Sequence, residues 1–557
     1  MPGAKAQAGT RHRRFRAGGR GWLYGSPLWR MLALSGRSPG GLEAVPIDPW
    51  PGDTALGAAL LDNRFPFAGQ TLHGAVPPWL APDASAAWLA EMHGFDWLRH
   101  LRAIGGDAGR RQARALVSHW LETQARWHPV AWAPDVTGQR IAAWIGMHDF
   151  FLASADDALR AQVFDSLARQ VRHLARVLPG STRGLALIAG IKGLAFGGLC
   201  LPDQRKAASR MRWLLERELP RQVMPDGCHV ERSPAVQLQV LRHLIDIRGG
   251  CRAARAEVPP ALQHAIDRMT PSLRFFRHGD GGLALFNDSQ EGDPGTIDTV
   301  LGQADARGRP LRSAPHIGFE RLTAGRTWVL MDAGAPPPHG LDAGAHAGTL
   351  SFEMSVGRER LVVNCGAHPS GDGLWRAALA ATAAHSTLTV EDTNSAAVLP
   401  EGGLGRRPGR VEAHRTETLG SVLVEASHDG YREPHGLLHR RRLYLTDGGD
   451  DLRGEDVLEG AGGKTFAVRF HLHPQVQASL LQGGSSALLR LPSGQGWRLR
   501  TAGGALEIAD SIYLGTGAEP RRTVQLILRG TTVPGTTTVK WAIRREKRAD
   551  GTDPTEG

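Results

Sequence analysis

Thr349-Leu350-Ser351-Phe352-Glu353-Met354-Ser355-Val356, then Gly357-Arg358-Glu359, then Arg360-Leu361-Val362-Val363-Asn364, is the stretch from which the rest of the chain can be read. Leu350, Phe352, Met354 and Val356 recur at every second position. On a helix they would spread around the axis, whereas on a pleated strand all four share one face. Gly357 supplies the turn, so Thr349–Val356 and Arg360–Asn364 form a hairpin. The same period extends on both sides of it, in Thr327–Asp332, Thr387–Glu391, Val422–Ala426, Arg441–Thr446, Phe466–Leu472, Ala487–Leu491, Val524–Leu528 and Thr538–Ile543. A series of short antiparallel strands with turn residues between them predicts a large β-sandwich over residues 280–543.

Upstream of Gly279 the spacing changes to that of helices. From Glu91 onward, Gly, Pro and Asp interrupt the pattern at intervals that predict a train of helical hairpins. The segments are Phe95–Ile104, Ala108–Trp127, Val136–Ala153, Ala158–Leu178, Leu185–Leu199, Lys206–Val223, Pro234–Ile247 and Pro260–Phe276. Asp135 and Ser233 read as N-caps, the latter with Pro234 in the first turn. The division expected is a basic arm over 1–40, a helical toroid over 41–279, the sandwich over 280–543 and a charged tail over 544–557.

Composition narrows the class. The 557 residues are 41% hydrophobic and 22% charged, with 70 glycines and 35 prolines, which is turn-rich but globular. A membrane-crossing helix needs roughly 18 to 20 uncharged apolar residues, and the nearest candidate, Leu185–Leu201, contains Lys192 and four glycines. No membrane span is therefore expected. Cys200, Cys228, Cys251 and Cys365 are too few for a disulfide scaffold and wrongly spaced for a zinc ribbon. The net charge of +11, carried by sixty arginines and only six lysines, suggests anionic partners. No zinc finger, helix-turn-helix or basic–aromatic pattern points to nucleic acid. No export signal is visible after the basic stretch Arg11–Arg20. Eleven of the fifteen tryptophans, Trp22 to Trp213, lie in the helical half. Indole faces there can bury pyranose C–H surface.

Three segments together resemble the heparinase II/III family of polysaccharide lyases. They are Asp226-Gly227-Cys228-His229-Val230-Glu231-Arg232-Ser233-Pro234; Ala345-His346-Ala347-Gly348-Thr349-Leu350-Ser351-Phe352-Glu353 with Leu361–Gly366; and Ala384-His385-Ser386-Thr387-Leu388-Thr389-Val390, with Trp375-Arg376 before it and Arg469–Pro474 after. The resemblance implies an (α/α) toroid followed by an antiparallel sandwich. It also implies cleavage of an anionic, uronate-containing polysaccharide by β-elimination in the cleft between the two. Such chemistry needs a donor that neutralises the uronate carboxylate, a base for the C5 proton and an acid for the leaving oxygen. The family's envelope or periplasmic setting is implied as well; with no export signal visible, the cytoplasm is the alternative, and the oligomeric state is open.

The chain departs from the family pattern at two points. Ala235, Val236 and Gln237 stand where the family's tyrosine would lie, and Gly344 stands where its catalytic histidine would. The catalytic candidates left are His229 as base, Arg232 as a two-pronged partner for a carboxylate, and Tyr431. The substrate-binding candidates are Arg183, near the family's carboxylate-neutralising position, with Glu231, Trp132, Arg140 and Arg376. His471 and His473 share one strand face. The resemblance further implies a structural divalent metal such as zinc, held by His346, Asn364 and His385; with Asn364 in place of aspartate the set lacks an anionic ligand. Two other classes remain open. One is a non-catalytic carbohydrate-binding or cell-envelope protein on the same scaffold. The other is a glycoside hydrolase, for which Asp149, Asp226 and Glu231 are the acids to consider.

Overall fold

The computed structural model describes residues 24–74, 78–124, 127–371 and 373–546. The basic stretch Arg11–Arg20 of the expected arm, Trp22 and the tail beyond residue 546 lie outside the described residues, whereas Pro27–Ala33 within the arm is a helix.

The helical half runs through Ala86–Gly94, Leu98–Ile104, Gly106–Gln124, Pro134–Gly146, Asp157–Val177, Gly184–Cys200, Arg205–Gln222, Pro234–Ala253 and Pro260–Phe275. Gly184–Cys200 is buried on nearly every side and packs against Pro134–Gly146, Arg205–Gln222 and Pro234–Ala253. An all-round apolar helix is what a central position requires. Its glycines permit the closeness: a Cβ on Gly193 would lie 2.4 Å from the Cα of Gly138, and one on Gly138 would lie 2.2 Å from the carbonyl oxygen of Ala189. None of the described helices is long and apolar enough to cross a membrane.

Three helical expectations need correction. The segment expected over Val136–Ala153 is two helices, Pro134–Gly146 and His148–Phe151, with Met147 between them. Asp135 is inside the first turn rather than capping it, because the helix begins one residue earlier at Pro134. Helical structure also resumes past Gly279, in Pro294–Ala304, which packs on Pro234–Ala253 and Pro260–Phe275. Asp293 caps this helix by accepting the Thr296 N–H at 2.6 Å, and Ile297, Val300, Leu301 and Ala304 enter the toroid core. Ser233 caps Pro234–Ala253 as read, accepting the Val236 N–H.

The strands are β1 (Arg64–Phe67), β2 (Gln70–His73), β3 (Ser313–Ala314), β4 (Phe319–Ala324), β5 (Thr327–Asp332), β6 (Phe352–Val356), β7 (Glu359–Val363), β8 (Leu388–Val390), β9 (Val411–Thr418), β10 (Ser421–His428), β11 (Leu437–Leu445), β12 (Asp451–Gly460), β13 (Thr465–Leu472), β14 (Gln477–Leu481), β15 (Ser486–Arg490), β16 (Gly496–Ala502), β17 (Ala505–Tyr513), β18 (Arg521–Thr531) and β19 (Gly535–Arg545). β1 and β2 form a small hairpin on the toroid. The others build two antiparallel sheets, ordered β14-β15-β16-β19-β12-β11-β10-β9 and β17-β18-β13-β7-β6-β5-β4-β3, with β8 beside β13. Leu443, Leu445, Val424, Phe352, Phe470 and Trp541 belong to the core between them. The hairpin read from the sequence is β6–β7, with Gly357 in its turn at φ 57°. Residues 544 and 545, assigned above to the tail, end β19.

Candidate functional site

Toroid and sandwich meet where the turn Asp226–Ser233 faces the start of the second half. Asp226 accepts the His316 and Ile317 N–H groups at 2.9 and 3.1 Å. Asn287 donates to the Arg232 carbonyl and accepts the His346 N–H, at 2.9 and 3.0 Å. Deeper in, His278 lies 2.9 Å from Glu353, which also accepts the Leu285 and Asn364 N–H groups. The Asp226 bonds, the Asn287–Arg232 bond and the His278–Glu353 contact tie one half to the other, and the remaining bonds brace the second half behind them.

His229 is 1% exposed. Its Nδ1 accepts the Glu231 N–H at 3.3 Å, so the neutral ring carries its proton on Nε2, which donates to Gln222 at 3.1 Å. Burial holds its pKa down at about 3. With its one lone pair spent and no access to solvent, His229 is not placed to act as a base, which corrects the role expected of it. Gln237 is locked in the same way, accepting the His229 N–H and donating to the Gly227 and Met269 carbonyls.

Arg232 is also corrected. It is buried against Asp332, donates to the Ile317 carbonyl at 2.7 Å and lies over the Phe319 ring. Burial pushes the Asp332 carboxyl up while Arg232 pulls it down. The pair fastens the seam and leaves no guanidinium for a uronate. Tyr431 is fully buried in the sandwich, its hydroxyl donating to the Leu388 carbonyl at 2.8 Å, and burial pushes its pKa up. It is a core residue. Arg140 is fully buried as well, donating to Gln170 and the His93 carbonyl with its guanidinium over Trp120. Trp132 is buried edge-on to His173. Neither can touch a polysaccharide. Asp226 is spent on backbone N–H groups and Asp149 is bonded to His148, so with Glu231 capping a helix none of the three acids forms a hydrolase pair.

Three expected residues do open toward the seam. Arg183 is exposed and donates to the Gly180 and Thr182 carbonyls. Arg376 is half-buried and donates to the Gly371 and Glu401 carbonyls. Glu231 is half-buried, and burial raises its pKa. Its carboxylate accepts the Leu185 N–H at 2.8 Å and so caps Gly184–Cys200. Gly184 has to be glycine there, with φ at 54° and a would-be Cβ 2.0 Å from the Glu231 carboxylate.

Asp288 was not singled out from the sequence. It is exposed, directly beside Gly344, and a Cβ at 344 would lie 3.0 Å from its own. Solvent reaches its side chain, while the protein packed around its carboxyl raises the pKa, with Arg376 opposing the rise. No local pattern marks it, because its setting depends on a loop more than fifty residues away.

The implied metal site fails a test of its donors. The Asp288 N–H donates to His346 Nε2 at 3.1 Å, so His346 carries its proton on Nδ1, which donates to His385 Nε2 at 3.1 Å. His385 Nδ1 in turn donates to the Ala381 carbonyl at 2.8 Å. Asn364 Oδ1 accepts the Ser386 N–H at 3.0 Å. Both imidazole lone pairs are consumed in the relay, so the three residues do not fit a divalent metal. Among the described residues, no group of three or more His, Cys, Asp or Glu is placed to hold one.

A toroid sealed to a two-sheet sandwich through a buried polar seam defines the architectural class of the polysaccharide lyases that combine these two parts. The chain belongs to the heparinase II/III-like family: residues 112–304 match the heparinase II/III N-terminal model, and residues 306–542 match the heparinase II/III-like C-terminal model. FtsZ-localized protein C of Caulobacter vibrioides (strain NA1000 / CB15N) is 34% identical over 538 residues, covering 92% of each chain. A crystal structure of heparinase III superposes with a TM-score of 0.74 at 15% identity, covering 94% of this chain and 89% of that one. Heparan sulfate lyase HepC from Pedobacter heparinus superposes with a TM-score of 0.60 at 15% identity, covering 91% and 87%.

Proposed function

We propose that this protein is a non-catalytic member of its family, binding an anionic polysaccharide in the service of envelope assembly rather than cleaving it. The observation that carries this reading is the state of the seam. The His229 lone pair is spent on a backbone N–H, and the Arg232 charge is neutralised by Asp332. Ala235, Val236 and Gln237, and Gly344, bring no proton-transfer group. The acidic-glycan class is supported by the net charge of +11 and by the fold shared with a heparan sulfate lyase. An assembly role is supported by the relative whose name places it with FtsZ.

A second reading, β-elimination with the Asp288 carboxylate as base, is favoured by that residue's opening onto the seam and its raised pKa. One assay separates the two. The protein is incubated with heparan sulfate, chondroitin sulfate and a bacterial polyuronate, and the ultraviolet absorbance of the unsaturated product is followed beside a binding measurement. The expected result is binding without absorbance. Product formation that Asp288→Asn abolishes would replace the binding reading with the lyase; reducing ends released without unsaturation would point to hydrolysis.

A further inference from the structure

The outer face of the eight-stranded sheet lies opposite the face that packs into the sandwich core. The strand register sets Leu423, Tyr444, Arg453, Ala542 and Arg500 in one transverse row over β10, β11, β12, β19 and β16. The neighbouring row is Glu425, Arg442, Glu455, Lys540 and Ala502. In that second row the charges alternate and pair off: Arg442 with Glu425 and Glu455, and Lys540 with Glu455 at 3.6 Å. The first row contains no acid. Arg453 shares the Asp451 carboxylate with Arg544, and the exposed Arg500 side chain has no hydrogen bond or ion pair among the described residues.

A flat sheet face would offer no concavity. Here Ala542 and Ala502, set among long side chains, leave a wide depression of about 570 Å³ lined by Leu423, Tyr444, Arg453, Arg500 and the Arg442–Glu455–Lys540 cluster, whose one acid is neutralised by its two basic neighbours. Its strands are paired on both sides, so their backbone N–H and C=O groups are committed to ladders. A peptide adding itself as a strand would find nothing to bond. Recognition falls to the side chains alone. Guanidinium forks match carboxylate and sulfate oxygens, and the half-buried Tyr444 ring, with the Arg453 guanidinium 6.0 Å above its centroid, sets apolar surface beside a cation at one point of the row. Arg453 and Arg500 stand two strands apart, roughly 10 Å, so they can engage successive anionic groups along one chain.

We propose that this face is an anionic-glycan binding site, separate from the toroid–sandwich seam. The proposal rests on the binding reading above, and the experiment separates the two. Heparan sulfate is the probe, titrated calorimetrically into the full chain, into the sheet variant Tyr444→Ser/Arg500→Glu and into the seam variant Arg183→Ala/Arg376→Ala. The sheet residues are at the surface, and equal melting temperatures establish that both variants are folded; Arg500→Glu alone serves if the double variant is not. The expected result is roughly tenfold or greater weakening in the sheet variant, with the seam variant near the parent and binding that falls with added salt. Binding kept in the sheet variant but lost in the seam variant would overturn the proposal and leave the binding reading standing. No binding by the parent to heparan sulfate, chondroitin sulfate or polyuronate would overturn both.

Discussion

At the scale of single residues, the seam shows how one family motif can serve two purposes. Glu231, Arg232 and Ser233 sit side by side at a helix start, yet one carboxylate caps the neighbouring helix, the guanidinium crosses to Asp332, and the hydroxyl caps its own helix. Arg232 reaches Asp332 from a left-handed backbone position, φ 56°, and both side chains are 5% exposed. Arg232→Ala strands a buried carboxylate, a loss of about 3–5 kcal/mol for a pair of this kind. A chemical-denaturation midpoint should register it, with heparan sulfate binding by the folded fraction unchanged. The opposite pattern, full stability with lost binding or turnover, would return Arg232 to a ligand-facing role.

At the scale of elements, legibility follows locality. The β6–β7 hairpin, the glycine-bearing apolar helix Gly184–Cys200 and the Ser233 cap were readable because each is decided within a few residues. The helix Pro294–Ala304 carries the same kind of signal, with Asp293-Pro294 ahead of apolar positions 297, 300, 301 and 304, but it lies past Gly279, in the half that the change to period two assigns to sheet. β9, largely exposed, lacks the apolar alternation that marked β10 and β11, and β17 keeps it only at Leu506 and Ile508 before Asp510 breaks it. Site residues failed for a different reason. Whether Arg140 meets solvent or Gln170, or Tyr431 meets a ligand or the Leu388 carbonyl, is decided by contacts 30 and 43 residues away. The imidazole relay Asp288–His346–His385–Ala381 likewise joins the loop before β6 to the turn before β8, and neither segment alone shows that its lone pairs are taken. Prolonged dialysis against a strong chelator should therefore leave the melting temperature unchanged. A fall that zinc alone reverses would show that the relay gives way to coordination.

At the scale of the whole molecule, the many buried neutral histidines link the fold to pH. His93, His229 and His471 have pKa values depressed to about 3, and His173 and His385 to about 4, with burial the first cause in each. In the unfolded chain they titrate near 6.5. Between that value and the folded ones the unfolded state binds more protons, so stability falls as pH falls through the window. Buried carboxyls act the other way: Asp332, Asp246 and Glu231 have raised pKa values, so the native state takes up their protons first and offsets part of the loss. The five histidines named are shifted by two to three pH units or more and outnumber these three carboxyls, so the net direction is a loss. Asp456, held well below the usual carboxylate range by Arg441 and His439 despite burial, adds its own loss only below about pH 4. Melting temperature should accordingly decline without a plateau from about pH 6.5 to 4, and then more steeply. A profile flat or rising over that interval would mean that these imidazoles reach solvent, and with it that the seam is open rather than sealed.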